Sequence, residues 1–182
     1  MNRIVLKFGL ISGAIIAAMT AVMLPLCMKG VIDFGASEIV GYSAMVLSFL
    51  LVFFGIRSYR DDVAGGVITF GKAFGVGLLV TLVACSVYVI AWEIVYFNFI
   101  PDFVDHYQAY LIDELREDGA SAAEIAAKEA EMAKFAELYA NPLVNVLITF
   151  MEVFPVGLVV TLVSAAILRR RRGGGEPAAE PA

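Results

Sequence analysis

Four long apolar stretches, joined by two short polar connections and one long one, set the plan of this chain. Phe8 to Met28, Ile39 to Ile56 and Ala73 to Trp92 hold no charged side chain, and Leu143 to Leu168 holds only Glu152. A helix needs about 20 apolar residues to cross the hydrocarbon core of a bilayer, and each stretch approaches or exceeds that length. Core helices of a soluble protein would carry polar stripes at helical spacing, which these stretches lack. The pattern predicts transmembrane helices over about 5–28, 39–57, 72–97 and 143–168, in a single domain 1–172.

The long connection has a helical pattern of its own. Phe103, Tyr107, Tyr110, Leu111 and Leu115 recur at three- and four-residue intervals and make one apolar face. Glu117-Asp118-Gly119 ends that helix. Ser121 followed by Glu124 forms a capping box that opens a second helix, with Ile125, Met132, Phe135 and Tyr139 on its apolar side and Asn141-Pro142 at its end. Residues of about 101–141 are therefore predicted as an amphipathic helical hairpin. The tail 173–182, rich in Gly, Pro, Ala and Glu, is predicted to be disordered. The fold class is all-α: a polytopic membrane four-helix bundle with a periplasmic hairpin.

Composition agrees, since 60% apolar and 17% charged residues is too little charge for a soluble chain of 182 residues. The net charge of −5 hides a segregation. Of 13 basic residues, nine (Arg3, Lys7, Arg57, Arg60, Lys72 and Arg169 to Arg172) flank one side of the apolar runs. Residues 98–142 hold ten acids against Arg116, Lys128 and Lys134. Basic residues in short loops mark the cytoplasmic side, so both termini are expected in the cytoplasm of a bacterial inner (plasma) membrane protein, with the hairpin in the periplasm. The arginine run sits where a stop-transfer anchor would, which removes the case for nucleic-acid binding. The first run is too long for a signal-peptide core and is read as a retained helix. Within it, Gly9, Gly13 and Ala17 make a small-residue face that either admits a second helix closely or reflects only the abundance of glycine in membrane helices. Tyr88, Trp92, Tyr96 and Phe97 are expected to form an interfacial aromatic belt. Cys27 and Cys85 are expected as unbridged, buried thiols.

Candidate chemistry is sparse. Glu152 lies 17 residues before Arg169, about 25 Å at helical rise, which sets a carboxylate inside the membrane. Asn145, Thr149 and Glu152 share one helix face, and Pro155 frees the carbonyl of Met151, so these residues make a candidate polar pocket. Glu93, about 31 Å from Lys72, is the second candidate and is placed with Glu152 around one outward-facing cavity. The alternative has Glu93 snorkelling and Glu152 bonding a neighbouring helix. Arg57, Arg60 and Lys72 serve first as topology determinants, then as contacts for anionic headgroups. Asp102, Asp105 and His106 read as a solvated helix start before they read as an ion site. One histidine leaves no room for a transition-metal site or a Ser-His-Asp arrangement, so neither an enzyme nor a metal or other cofactor is expected.

The stretch Gly55-Ile56-Arg57-Ser58-Tyr59-Arg60-Asp61, with Gly65-Gly66 and Phe70-Gly71-Lys72-Ala73-Phe74, resembles the signature of the bacterial membrane family called domain of unknown function 4199. The resemblance extends to Tyr139-Ala140-Asn141-Pro142, to Phe150 through Gly157, and to Ile167-Leu168-Arg169-Arg170. It implies a four-helix membrane protein of Gram-negative bacteria and brings no site residues with it. The expected function is non-enzymatic, through contacts with membrane lipids, a second copy or another membrane protein. The rival expectation is a small transporter or ion-coupled channel using Glu152 and Glu93.

Overall fold

Helix ends in this protein are set by short polar side chains that satisfy backbone N–H groups otherwise left without partners. Asp33 accepts from the N–H of Gly35 and Ala36 at 2.8 and 3.3 Å, and Thr69 accepts from the N–H of Lys72 at 3.4 Å. Asn141 accepts from the N–H of Leu143 at 3.0 Å, with Pro142 in the first turn where its missing N–H costs nothing. The Ser121–Glu124 capping box is complete in both directions. The computed structural model describes residues 1–169. The expected tail 173–182 and Arg170 to Arg172 lie outside the described residues.

The described chain is all-helical: α1 Asn2–Met28, α2 Phe34–Asp62, α3 Phe70–Phe99, α4 Phe103–Glu117, α5 Ala122–Tyr139 and α6 Pro142–Leu168. Four of them, α1, α2, α3 and α6, are long and apolar enough to cross a membrane. α2 exceeds its expected span at both ends, because the Asp33 cap starts it before the apolar run and the Arg57–Asp62 segment stays helical. The turn after α2 uses Gly65 and Gly66 at φ +68° and +85°, a left-handed region that favours glycine.

α1 and α6 occupy opposite corners, each packed on both α2 and α3. Gly9 and Gly13 let α1 approach α3 closely: a Cβ at Gly13 would lie 2.6 Å from the Ala84 carbonyl oxygen, and one at Gly9 2.7 Å from Val83 Cβ. The small-residue face is therefore used within the chain. At the α3–α6 crossing, Gly157 lies against Thr81 and Phe49, while the Thr81 and Thr161 hydroxyls share a 2.9 Å hydrogen bond. These residues belong to a closed core in the half of the bundle away from the hairpin, where Phe49, Val52, Ile56, Val76, Val80 and Val153 are fully buried.

The hairpin end is built differently. Its cluster joins Leu24, Trp92, Tyr96, Ile100, Val104, Met132 and Tyr139 and takes no residue from α2. All buried residues of α2 fall between Met45 and Tyr59, so its first half stands off the bundle. That half is tied instead to α4, where Phe34 meets Phe103, Tyr107 and Tyr110 at ring-centroid distances of 6.4, 5.8 and 5.3 Å. α4 buries Val104 and Ile112 most deeply, while Phe103 and Tyr107 both meet Phe34 of α2 and pack on the cluster that holds Met132 and Tyr139 of α5. One expectation changes here. Tyr88, Trp92 and Tyr96 turn inward and are buried, leaving Phe97 as the exposed aromatic of the expected belt.

Candidate functional site

Where α2 stands off, a cavity of about 440 Å³ opens between its first half and α1, α3 and α6, under a roof of hairpin aromatics. Ile16, Met19, Met23 and Leu24 of α1 give it one apolar wall. Ser37, Glu38, Gly41, Tyr42 and Met45 of α2 recur at one- and three-residue steps, so a single helical stripe forms the opposite wall. Tyr88 and Trp92 of α3 and Ile148 and Glu152 of α6 form the back, and Phe103, Tyr107, Phe135 and Tyr139 the roof. Glu38, Tyr42 and Glu152 keep exposed surface, so the cavity is open to its surroundings.

The polar groups divide into a bound set and a free set. Behind the cavity wall, Trp92 Nε1 donates to the Tyr139 hydroxyl at 2.9 Å and to Asn145 Oδ1 at 3.1 Å. Asn145 Nδ2 donates to the Tyr139 carbonyl at 3.3 Å, and the Thr149 hydroxyl donates to Asn145 Oδ1 at 3.2 Å. Asn145 and Thr149 are fully buried and bonded, so they hold α3, α5 and α6 together as buried polar groups must. Burial, partly offset by the hydrogen bonds to Thr149 and Trp92, pushes the Tyr139 hydroxyl up to about 12.

The free set is carboxylate. Glu152 lines the cavity and makes no hydrogen bond or ion pair among the described residues. The sequence pairs it with Glu93, but Glu93 is not in the cavity wall, and its Oε1 is buried elsewhere on α3 with no partner among the described residues. The second carboxylate of the cavity is Glu38, which accepts from the Tyr107 hydroxyl at 3.1 Å. Burial, then the Glu38 charge, pushes that hydroxyl up to about 12. Pro155 lies outside the cavity wall, one turn beyond Glu152, and is exposed. Glu38 escapes a reading by apolar runs because it falls in the expected connection before Ile39. The Asp33 cap and the Ser37–Tyr42 stripe are the signals that place it on a helix.

At the far end, Arg60 donates to Asp61 from Nε at 2.7 Å and from a terminal nitrogen at 3.2 Å, and Arg57 lies 3.6 Å from the same carboxylate. The Lys72 ammonium lies over the Tyr59 ring at 5.8 Å. Arg57, Arg60 and Lys72 thus share one end of the bundle, with part of their charge neutralised by Asp61. Cys27, at the cavity edge, and Cys85, in the core, are free thiols. Among the described residues, no group of His, Cys, Asp and Glu is arranged to hold a metal ion.

The family model described as protein of unknown function (DUF4199) matches residues 7–170, nearly the whole chain. No curated protein and no solved structure matches the chain. The chain belongs to the DUF4199 family.

Proposed function

We propose that this family member is a non-enzymatic, multi-pass protein of the bacterial inner membrane that binds an apolar or amphiphilic molecule in the cavity beneath the α4–α5 hairpin. The observation that carries the reading is the cavity itself. At about 440 Å³ it falls in the size range of small-molecule sites, and its walls are mainly aliphatic, aromatic and methionine side chains. Methionine suits an occupant of variable shape, because its side chain is flexible and polarizable. Contact with lipid is favoured over a protein partner, since Gly9 and Gly13 are already occupied by α3.

In this reading the α4–α5 hairpin is periplasmic, both termini are cytoplasmic, and Arg57, Arg60 and Lys72 meet anionic headgroups on the inner face. The reading is preferred to a transporter or ion-coupled channel because the half below the cavity is closed by Phe49, Val52, Ile56, Val76 and Val80. A pathway would require that core to open.

Trp92 is the single tryptophan of the chain and stands in the cavity wall with little exposed surface, so its fluorescence reports occupancy. In nanodiscs, lipids with brominated acyl chains are expected to quench Trp92. Gly41→Phe, which fills the cavity from a position with open space around its Cβ, is expected to reduce that quenching. Equal quenching in both proteins would refute the proposal. A reporter fused after residue 120 that is active in the cytoplasm would refute the orientation.

A further inference from the structure

We infer that the cavity selects a lipophilic organic cation: a positively charged headgroup carried on an apolar body. The inference rests on the cavity-binding reading above and names its ligand class.

Charge and surroundings carry it together. Two carboxylates, Glu38 and Glu152, line a cavity whose other walls are mostly apolar, and no Lys, Arg or His is among the lining residues. Neither carboxylate takes part in an ion pair among the described residues. The Tyr107 hydroxyl donates to one oxygen of Glu38, and Glu152 has no donor among the described residues. Both line the same cavity, from α2 and α6. Like charges facing low-dielectric walls are costly unless a cation or water stands between them. A cationic occupant relieves that cost, whereas an anionic one adds to it. Trp92, Tyr88 and Tyr42 add to the lining the aromatic class of side chain that attracts cations. The apolar body of the ligand has its own counterpart in Ile16, Met19, Met23, Met45 and Ile148. A diacyl phospholipid headgroup fits less well, because its phosphate would meet two carboxylates with no Arg or Lys to receive it.

The test compares two ions of the same shape and opposite charge, tetraphenylphosphonium and tetraphenylborate. Each is titrated against the full chain in phosphatidylcholine nanodiscs, with Trp92 fluorescence as the readout and partition into empty nanodiscs subtracted. The wild-type protein is expected to bind the cation about tenfold more tightly than the anion, the scale of one partly desolvated charge contact. Glu152→Gln and Glu38→Gln keep side-chain volume; each is expected to weaken cation binding about fivefold, and the double variant to abolish the preference. Equal affinity of the wild type for both ions, a comparison that needs no variant, would overturn the inference. So would a preference that survives in the double variant. Quenching of Trp92 by brominated chains with no preference for the cation would leave the cavity reading standing and remove this one. Failure of both signals would remove both.

Discussion

Replacing Gly13 with alanine adds one methyl group where the structure leaves no room for it. The new Cβ would lie 2.6 Å from the Ala84 carbonyl oxygen and 2.7 Å from Val87 Cβ. The first of these is backbone, so no rotamer change relieves it. Restoring an ordinary 3.4 Å contact requires α1 and α3 to separate by about 0.8 Å, which disturbs close packing along their shared face. Ser12, next to Gly13, donates to the Ser48 carbonyl at 2.8 Å, so the shift also strains the α1–α2 contact. Overpacking of this kind costs about 1–3 kcal/mol, while alanine gains about 1 kcal/mol over glycine in a helix interior. The contact is with backbone, so the steric term falls in the upper part of that range and a net loss of up to about 2 kcal/mol is expected. Gly41→Ala provides the internal comparison. Gly41 is also helical but meets nothing within 4 Å of its Cβ, so only the propensity gain applies and a stabilisation of about 0.5–1 kcal/mol is expected. Both variants are unfolded from detergent micelles by increasing SDS mole fraction, followed through Trp92 fluorescence. The midpoints should move in opposite directions from wild type. A Gly13→Ala midpoint at or above wild type would refute the packing argument, as would an equal fall for Gly41→Ala.

Three further outcomes follow from the polar groups. Asn145→Ala removes the buried acceptor shared by the Trp92 indole N–H and the Thr149 hydroxyl and the donor to the Tyr139 carbonyl, leaving Trp92 and Thr149 only the Tyr139 hydroxyl, and should cost about 1–3 kcal/mol, read in the same SDS assay; an unchanged midpoint would count against the network. The Glu124 carboxyl is held below the usual carboxylate range because it accepts from the Ser121 N–H at 2.7 Å and hydroxyl at 2.8 Å. A depressed folded value means that its stabilisation is present above the unfolded value near 4.5 and lost as pH falls through the folded one. Amide exchange in the first turn of α5, corrected for intrinsic rates, should therefore accelerate on acidification in wild type and lose that dependence in Glu124→Ala. Tyr107 has the opposite sign: its hydroxyl is raised to about 12, so its contribution to docking of α4 on α2 is complete below the unfolded value of 10 and lost as pH rises through about 12. Spectrophotometric titration of wild type against Tyr107→Phe should isolate a raised tyrosine whose shift shrinks in Glu38→Gln; a Tyr107 titration unchanged in Glu38→Gln would remove the Tyr107–Glu38 contact from the account.

The four long helices are legible in the sequence because the cost of placing charge in hydrocarbon leaves runs of about 20 apolar residues that nothing else requires. The Ser121–Glu124 box and the turn at Gly119, φ +76°, are legible because they depend on neighbours in the chain. The cavity is not. Apolar stretches carry little facial contrast in a membrane, so they do not say which side of α2 meets α1 and which meets nothing. Gly9 and Gly13 announce a close approach without naming α3. Glu38 is hidden by the position of a helix boundary. A helix beginning at Ile39 leaves it in a loop, whereas one capped by Asp33 puts it in line with Tyr42 and Met45. Glu93 pairs with Glu152 by depth alone, and depth does not fix the direction in which a side chain leaves its helix.

That α2 can stand off follows from the solvent. In water, an apolar half-helix left unpacked would be driven onto the bundle by the area it exposes. In hydrocarbon that drive is absent, because lipid tails are as apolar as the helix, and association depends on close packing and hydrogen bonds instead. α2 has both in its second half, where the Ser48 carbonyl accepts from Ser12 and where Phe49 meets Gly157 and Val52 meets Gly77. Its first half offers Gly41 to open space, and Phe34 and Glu38 tie it to α4. Closing the cavity would bring the Glu38 and Glu152 carboxylates together, so electrostatics opposes collapse at the place where packing fails to demand it. Weak packing demand and like charge thus act in the same direction, toward the open cavity that the structure shows.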